Sequence, residues 1–250
     1  MLFFLHALGA SGRSWADVSD RLGDRFRCVA PDLPGFGEHD AVDTSIVATL
    51  DRLTTEIAHR SPAPYMLVGH SMGGKFATLL AARAAAGQPG LAGLSGIMLL
   101  AASPPAPEPM DEARRKEMIS WFKDGTPGEA DARRFIENNI AAPLPPELME
   151  QAVADVRRSS PHAWIDWLER GAHEDWSDRV GVLDVPCMIV AGQEDGDLGE
   201  SNQRLFNLPH YSRASVSVVT AAAHLLPYEQ PDVVAHRIAE AVHSFSQPFS

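Results

Sequence analysis

One serine in this chain stands where a serine can act as a nucleophile. In "LVGHSMGGKFATLLAARAAA", residues 67–86, a short apolar run gives way to helical spacing around Gly69, His70, Ser71, Met72 and Gly73. Glycine two residues to either side lets a strand turn abruptly into a helix, and the turn pushes the serine oxygen above the sheet edge. The helix that begins there aims free N–H groups at any negative charge forming beside it. A serine hydroxyl is a weak nucleophile at neutral pH; it needs a base, and the base needs an orienting acid. "PCMIVAG" is followed by "QEDGD", which offers Asp195, with Asp197 and Glu194 as near alternatives. "ASVSVV" is followed by "TAAAHLLPYEQPDVVA", which offers His224 as the base. Its nearest rival, His70, lies inside the turn and should point away. A developing oxyanion needs two backbone donors, and the Met72 N–H and the Leu8 N–H of "HALGASGRSW" are the candidates.

These groups have to be carried by elements that end at one place. Short apolar runs at 2–5, 26–30, 65–69, 96–102, 186–192 and 214–219 read as strands, and helical spacing falls at 14–22, 44–60, 72–86 and 231–245. Strands buried on both faces and alternating with helices imply a parallel sheet covered on both sides. From Pro104 to about Val182 the rhythm breaks. A proline-rich entry, "SPPAPEPM", leads into helical stretches at 110–122, 127–139, 146–157 and 161–171. The chain therefore divides into a core of residues 1–103 and 183–250 and a helical cap of residues 104–182 over the C-terminal sheet edge. That edge is where open α/β sheets bind ligands. Trp121, Trp164 and Trp167 of the cap are the candidate pocket walls. Lys75, one turn into the helix after Ser71, reads as a surface or packing residue.

Composition narrows the alternatives. The net charge of −12 repels a phosphate backbone, which argues against nucleic acid as a partner. No apolar stretch approaches the length of a membrane span, and the start carries no secretory pattern, so the expected location is the cytoplasm. Cys28 and Cys187 both lie in strand-like runs and are expected to be reduced core residues. No spacing of Cys or His resembles a metal site, and neither a metal nor an organic cofactor is expected.

Taken together, "FLHALGASGRSW", "APDLPGFGEHD", "LVGHSMGGKFA", "PCMIVAGQED" and "AAAHLLPYEQPDVVA" resemble the α/β-hydrolase superfamily, from residue 2 to about 245. The resemblance implies a mostly parallel sheet with a helical cap, here lacking the first two strands of most relatives. It also implies the chain order Ser71, Asp195, His224. Some members place the acid after the strand that follows the nucleophile helix, but "MLLAASPP" has no carboxylate, which favours Asp195. The implied activity is hydrolysis of a small carboxylic ester or lactone through an acyl-enzyme. Alternatives are a carbon–carbon bond hydrolase of ring-cleavage products, a cofactor-free perhydrolase or haloperoxidase, and a non-catalytic ligand receptor. The chain departs from the family pattern at Ala7, where glycine is usual, and at His39, where a small hydroxyl residue is usual. Without the first two strands, residues 26–30 become an exposed edge, which is either covered locally, leaving a monomer, or used in a homodimer.

Overall fold

The computed structural model describes residues 1–60 and 64–245. Six parallel strands form one sheet: β1 (Leu2–Leu5), β2 (Cys28–Val29), β3 (Tyr65–His70), β4 (Leu94–Leu100), β5 (Cys187–Gly192) and β6 (Ala214–Val219). Their spatial order is β2-β1-β3-β4-β5-β6. Helices α1 (Ala16–Leu22), α2 (Ile46–Arg60) and α3 (Met72–Ala85) follow the first three strands. The segment between β4 and β5 holds α4 (Glu112–Ser120), α5 (Glu129–Glu137), α6 (Pro146–Arg158), α7 (Pro161–Asp166) and α8 (Ser177–Val180). After β5 come the short turns α9 (Glu200–Asn202) and α10 (Leu226–Glu229), and then α11 (Pro231–Phe245).

Side chains alternate across a strand, so the parity of the apolar residues assigns each face. Leu2, Phe4, Met66, Val68, Met98 and Leu100 pack with Trp15, Val18, Leu22, Val234 and Ile238 of the α1/α11 layer. Phe3, Leu5, Leu67, Ile97 and Leu99 pack on the opposite face with Leu50, Leu53, Phe76 and Leu80 of α2 and α3. Both faces are covered, which is why the strands read as continuous apolar runs rather than alternating ones. The second core also takes in Met118, Phe122, Phe135, Val156 and Trp164, so the helical segment shares one hydrophobic cluster with the sheet.

The topology places the site. From β1 the chain moves outward to β2, then crosses to β3 on the other side of β1. This reversal is the switch point at which loops diverge and open a crevice at the strands' C-terminal ends. Leu5 pairs with Gly69, so the loop after β1 and the turn after β3 emerge side by side. An ion cluster around one buried carboxylate fastens the loop after β1. Asp155 of α6, fully buried, accepts from the Ser11 hydroxyl at 2.7 Å and from the guanidinium groups of Arg13 and Arg158.

Two expectations change in the structure. The edge strand expected at 26–30 is only two residues long, and Phe26, Cys28 and Ala30 pack partly against the α1/α11 core. An edge this short offers little to pair with. Trp164 does not face a pocket. It is fully buried, stacked on Phe122 at 4.4 Å and edge-on to Phe135 at 5.1 Å, and its indole N–H donates to the Met118 carbonyl at 3.0 Å. Truncating such a residue removes both burial and packing. Trp164→Ala should cost about 3–5 kcal/mol in urea denaturation; a loss below about 1 kcal/mol would contradict its placement as core.

Candidate active site

The turn after β3 is strained, and the strain has a steric cause. Ser71 adopts φ 50° and ψ −121°, a conformation that costs an L-residue free energy and persists only where its surroundings impose it. A Cβ at Gly69 would lie 2.5 Å from the Gly73 carbonyl oxygen, and one at Gly73 would lie 2.2 Å from the Leu5 carbonyl oxygen. The glycines are therefore required by close approach of backbone to backbone, since neither has a positive φ. The Ser71 N–H donates to the Leu100 carbonyl at 3.0 Å, and the Ser71 carbonyl accepts from Ser103 N–H at 3.0 Å and from Gly74 N–H at 2.7 Å. These bonds hold the turn rigid from β4 and from its own helix.

Ser71, Asp195 and His224 all line one cleft, and Leu8, Phe135 and Trp167 lie in its wall. His224 Nδ1 lies 2.8 Å from Asp195 Oδ2, and the Leu198 N–H also donates to Asp195. An ionised carboxylate can only accept, so Nδ1 carries the proton and Nε2 is left to accept one. Burial opposes charge on His224, but the charge and hydrogen bond of Asp195, with a further contribution from Glu108, raise its pKa above 6.5. Burial also opposes charge on Asp195, yet His224 and the Leu198 N–H hold its pKa below the usual carboxylate value. Asp197, the alternative acid, is engaged elsewhere: it accepts from Arg114 at 2.7 Å. Glu194 lines the cleft, but the histidine's carboxylate partner is Asp195.

Leu8 lies in the cleft wall, and Met72, next to Ser71, takes the first position of α3. Among the described residues neither backbone N–H has a hydrogen-bond partner. Free donors beside a strained serine are the arrangement that accommodates an oxyanion. His6 fixes the Leu8 loop. Its Nε2 accepts from the Leu33 N–H at 2.9 Å, so the buried ring is neutral and its Nδ1 donates to the Ala7 carbonyl at 2.8 Å. Burial pulls its pKa down, in keeping with that neutral state.

Two residues of the site, Arg114 and Asn139, were not singled out from the sequence, and a third, His70, was expected to point away. His70 instead points toward His224, with Nε2 2.7 Å from the His224 carbonyl oxygen. Burial and the neighbouring His224 pull its pKa down to about 3, so it stays neutral and donates from Nε2. Asn139 accepts from the backbone N–H groups of both His224 and Leu225 at 3.1 Å, and Arg114 donates to its side-chain oxygen. Arg114 and Asn139 lie far from these partners in the chain, so no local pattern points to them. Of the three tryptophans expected in the pocket, only Trp167 lines the cleft, against Phe76. Trp121 is half-buried beyond the cleft at the end of α4, and Trp164 lies in the core.

The charge arrangement sets an order of titration. His224 should titrate by NMR with a midpoint above 6.5, because Asp195 stabilises its protonated form. Asp195→Asn removes that charge and leaves the burial, so the midpoint should fall. Asp197→Asn, which does not touch the ring, should leave it near the wild-type value. A large fall in Asp197→Asn and none in Asp195→Asn would reassign the histidine's partner.

Comparison with known proteins agrees with this architecture. The family model described as "Alpha/beta hydrolase family" matches residues 2–237. A pimeloyl-[acyl-carrier protein] methyl ester esterase of Sodalis glossinidius is 27% identical, covering 98% of this chain and 93% of its own. One from Vibrio vulnificus is 26% identical, covering 78% of this chain and 76% of its own. Among solved structures, an esterase from Exiguobacterium antarcticum superposes with a TM-score of 0.84 at 17% identity, covering 97% of this chain and 91% of that one. A bromoperoxidase from Bacillus anthracis reaches 0.85 at 17%, with the same coverage, so this likeness speaks for the fold alone. With the family model matching most of its length, the chain belongs to the alpha/beta hydrolase family.

Proposed function

We propose that this protein hydrolyses a small carboxylic ester or lactone through an acyl-enzyme on Ser71. The observation that carries the reading is the 2.8 Å contact of His224 Nδ1 with Asp195, in the cleft that Ser71 and Leu8 also line, with the free Met72 N–H next to Ser71. Curated relatives named as methyl ester esterases support an ester as the bond class.

In this reading the Ser71 oxygen attacks the acyl carbon while His224 Nε2 takes the hydroxyl proton. Asp195 stabilises the imidazolium and holds the ring with Nε2 toward the serine. The carbonyl oxygen becomes an oxyanion that accepts from Leu8 N–H and Met72 N–H. Collapse breaks the acyl–oxygen bond, and the leaving alcohol takes the proton from His224. Water then attacks the acyl-serine, giving its proton to His224, and the acid leaves as Ser71 recovers its proton. In a lactone the alcohol and the acid are two ends of one product. Positions Leu8, His70 and Asn139 serve the chemistry by fixing backbone: Leu8 as a donor, the other two by holding the His224 loop.

Ser71→Ala should lower kcat on an activated aryl ester by about 10⁶. Undiminished hydrolysis by that variant would sink the mechanism. Only neutral imidazole accepts the serine proton, so kcat/KM should rise with pH through the titration of His224, at a midpoint above 6.5. Asp195→Asn should lower kcat by about 10⁴, because the wrong tautomer becomes accessible; a loss of less than about tenfold would remove Asp195 from the reaction.

A further inference from the structure

Lys75 is a charged residue that the proposed reaction does not use and the fold nevertheless buries completely. It lies on α3 one turn after Ser71, with its ammonium among three backbone carbonyls: Glu174 at 2.7 Å, Gly171 at 3.0 Å and Ala106 at 3.4 Å. Ala106 belongs to the segment entering the helical insertion, and Gly171 and Glu174 to the segment leaving it. The two segments also bond to each other, through Trp176 N–H to the Pro105 carbonyl at 2.9 Å and Glu108 N–H to the Ala172 carbonyl at 2.8 Å. The ammonium sits 6.0 Å from the Trp167 ring centroid, and the next residue, Phe76, packs against the same ring. Trp167 is the tryptophan that lines the cleft.

We propose that Lys75 is a specificity-determining positioning residue: it clamps the entry and exit of the helical insertion to the nucleophile helix and thereby holds Trp167 as a wall of the acyl pocket. The substrate arm of this proposal rests on the esterase reading; the clamp itself does not. A buried ion contributes little net stability compared with a well-packed apolar residue of similar volume, so packing alone does not account for an ammonium at this position. What an ammonium supplies is three donors diverging from one point, which tie two distant segments to one register. Burial pulls its pKa down to about 8, opposed by the charges of Glu108, Glu174 and Asp175. Among the described residues no carboxylate bonds directly to it, so its partners are the main chain of the insertion itself. A main-chain partner fixes where the insertion runs, whereas a side-chain ion pair fixes only a charge.

The test is Lys75→Met, which keeps the length and apolar stem and removes the donors, with two readouts. On a series of activated aryl esters of increasing acyl length, the ratio of kcat/KM between long and short chains should shift by about tenfold, chiefly in KM, with the acetyl ester within about threefold of wild type. By hydrogen exchange, the Glu108, Ala172 and Trp176 amides should exchange at least about tenfold faster, with the β3 and β4 amides unchanged. Lys75→Arg, which keeps charge and donors, should preserve more of both properties than Lys75→Met. An unchanged acyl ranking together with unchanged exchange would overturn the proposal. So would a uniform loss across all acyl lengths and all amides, the mark of a residue that only stabilises the fold. Should Lys75→Met fail to fold, Lys75→Gln, with one amide in place of the ammonium, carries the same two comparisons. Faster local exchange in a protein that turns over no ester would uphold the clamp and refute only the esterase reading.

Discussion

The backbone of Ser71 is the point on which the rest of the structure depends. An L-residue at φ 50° and ψ −121° returns to a relaxed conformation unless its neighbours forbid it. Here they do. The helix start lies against the end of β1 so closely that a methyl group at Gly73 would lie 2.2 Å from the Leu5 carbonyl oxygen. That approach brings the first free N–H of α3 to the same opening as the loop after β1. The parallel register of β1 with β3, and the crossing between them, make the contact unavoidable. Fixing the serine and fixing the donors around it are one constraint.

The electrostatics follow from what the sheet edge can bury. Two neutral histidines, His6 and His70, hold backbone carbonyls in place, and burial keeps both uncharged. His224 differs in its neighbour. It is partly exposed at the cleft, and Asp195 on the adjacent strand end raises its pKa where burial alone would lower it. Asp197, two residues later, turns outward to Arg114 of α4 and so joins the helical insertion to the loop that carries Asp195. One loop thus serves both layers. Asp155 does the same from the other side, joining α6 to the loop after β1. The insertion is tied by ions and main chain on several flanks and by a shared apolar cluster, and its wall of the cleft is correspondingly defined.

Much of this was legible in the sequence because it is local. The strands at 2–5 and 65–70 announce themselves as apolar runs, the turn at Ser71 as glycines around a serine, and α11 as a helical pattern between Pro231 and Phe245. Residues whose role comes from distant contacts were not legible. The sequence already favoured Asp195 over Asp197 as the histidine's partner, and what it could not show is that Asp197 turns to Arg114. Trp164 and Trp167 fall on one short helical stretch, but the helix widens after Asp166; the first packs under Phe122 and the second reaches the cleft. Lys75 carries the polarity of a surface residue, and nothing near it in the chain shows that the insertion closes over it. The apolar run at 26–30 overstated its strand because Phe26, Cys28 and Ala30 are buried against helices rather than by pairing.

The proposed reaction turns on a covalent bond to one oxygen. Mixing the protein with an activated acetyl ester, quenching in acid within milliseconds and mapping the peptides by mass spectrometry would look for that bond directly. An acyl-enzyme on Ser71 predicts one acetyl group, about 42 Da, on the peptide that contains Ser71, formed before steady-state turnover and accumulating when deacylation is the slower step. Ester turnover with the Ser71 peptide unmodified at every quench time, or with the acyl group on another residue, would contradict it.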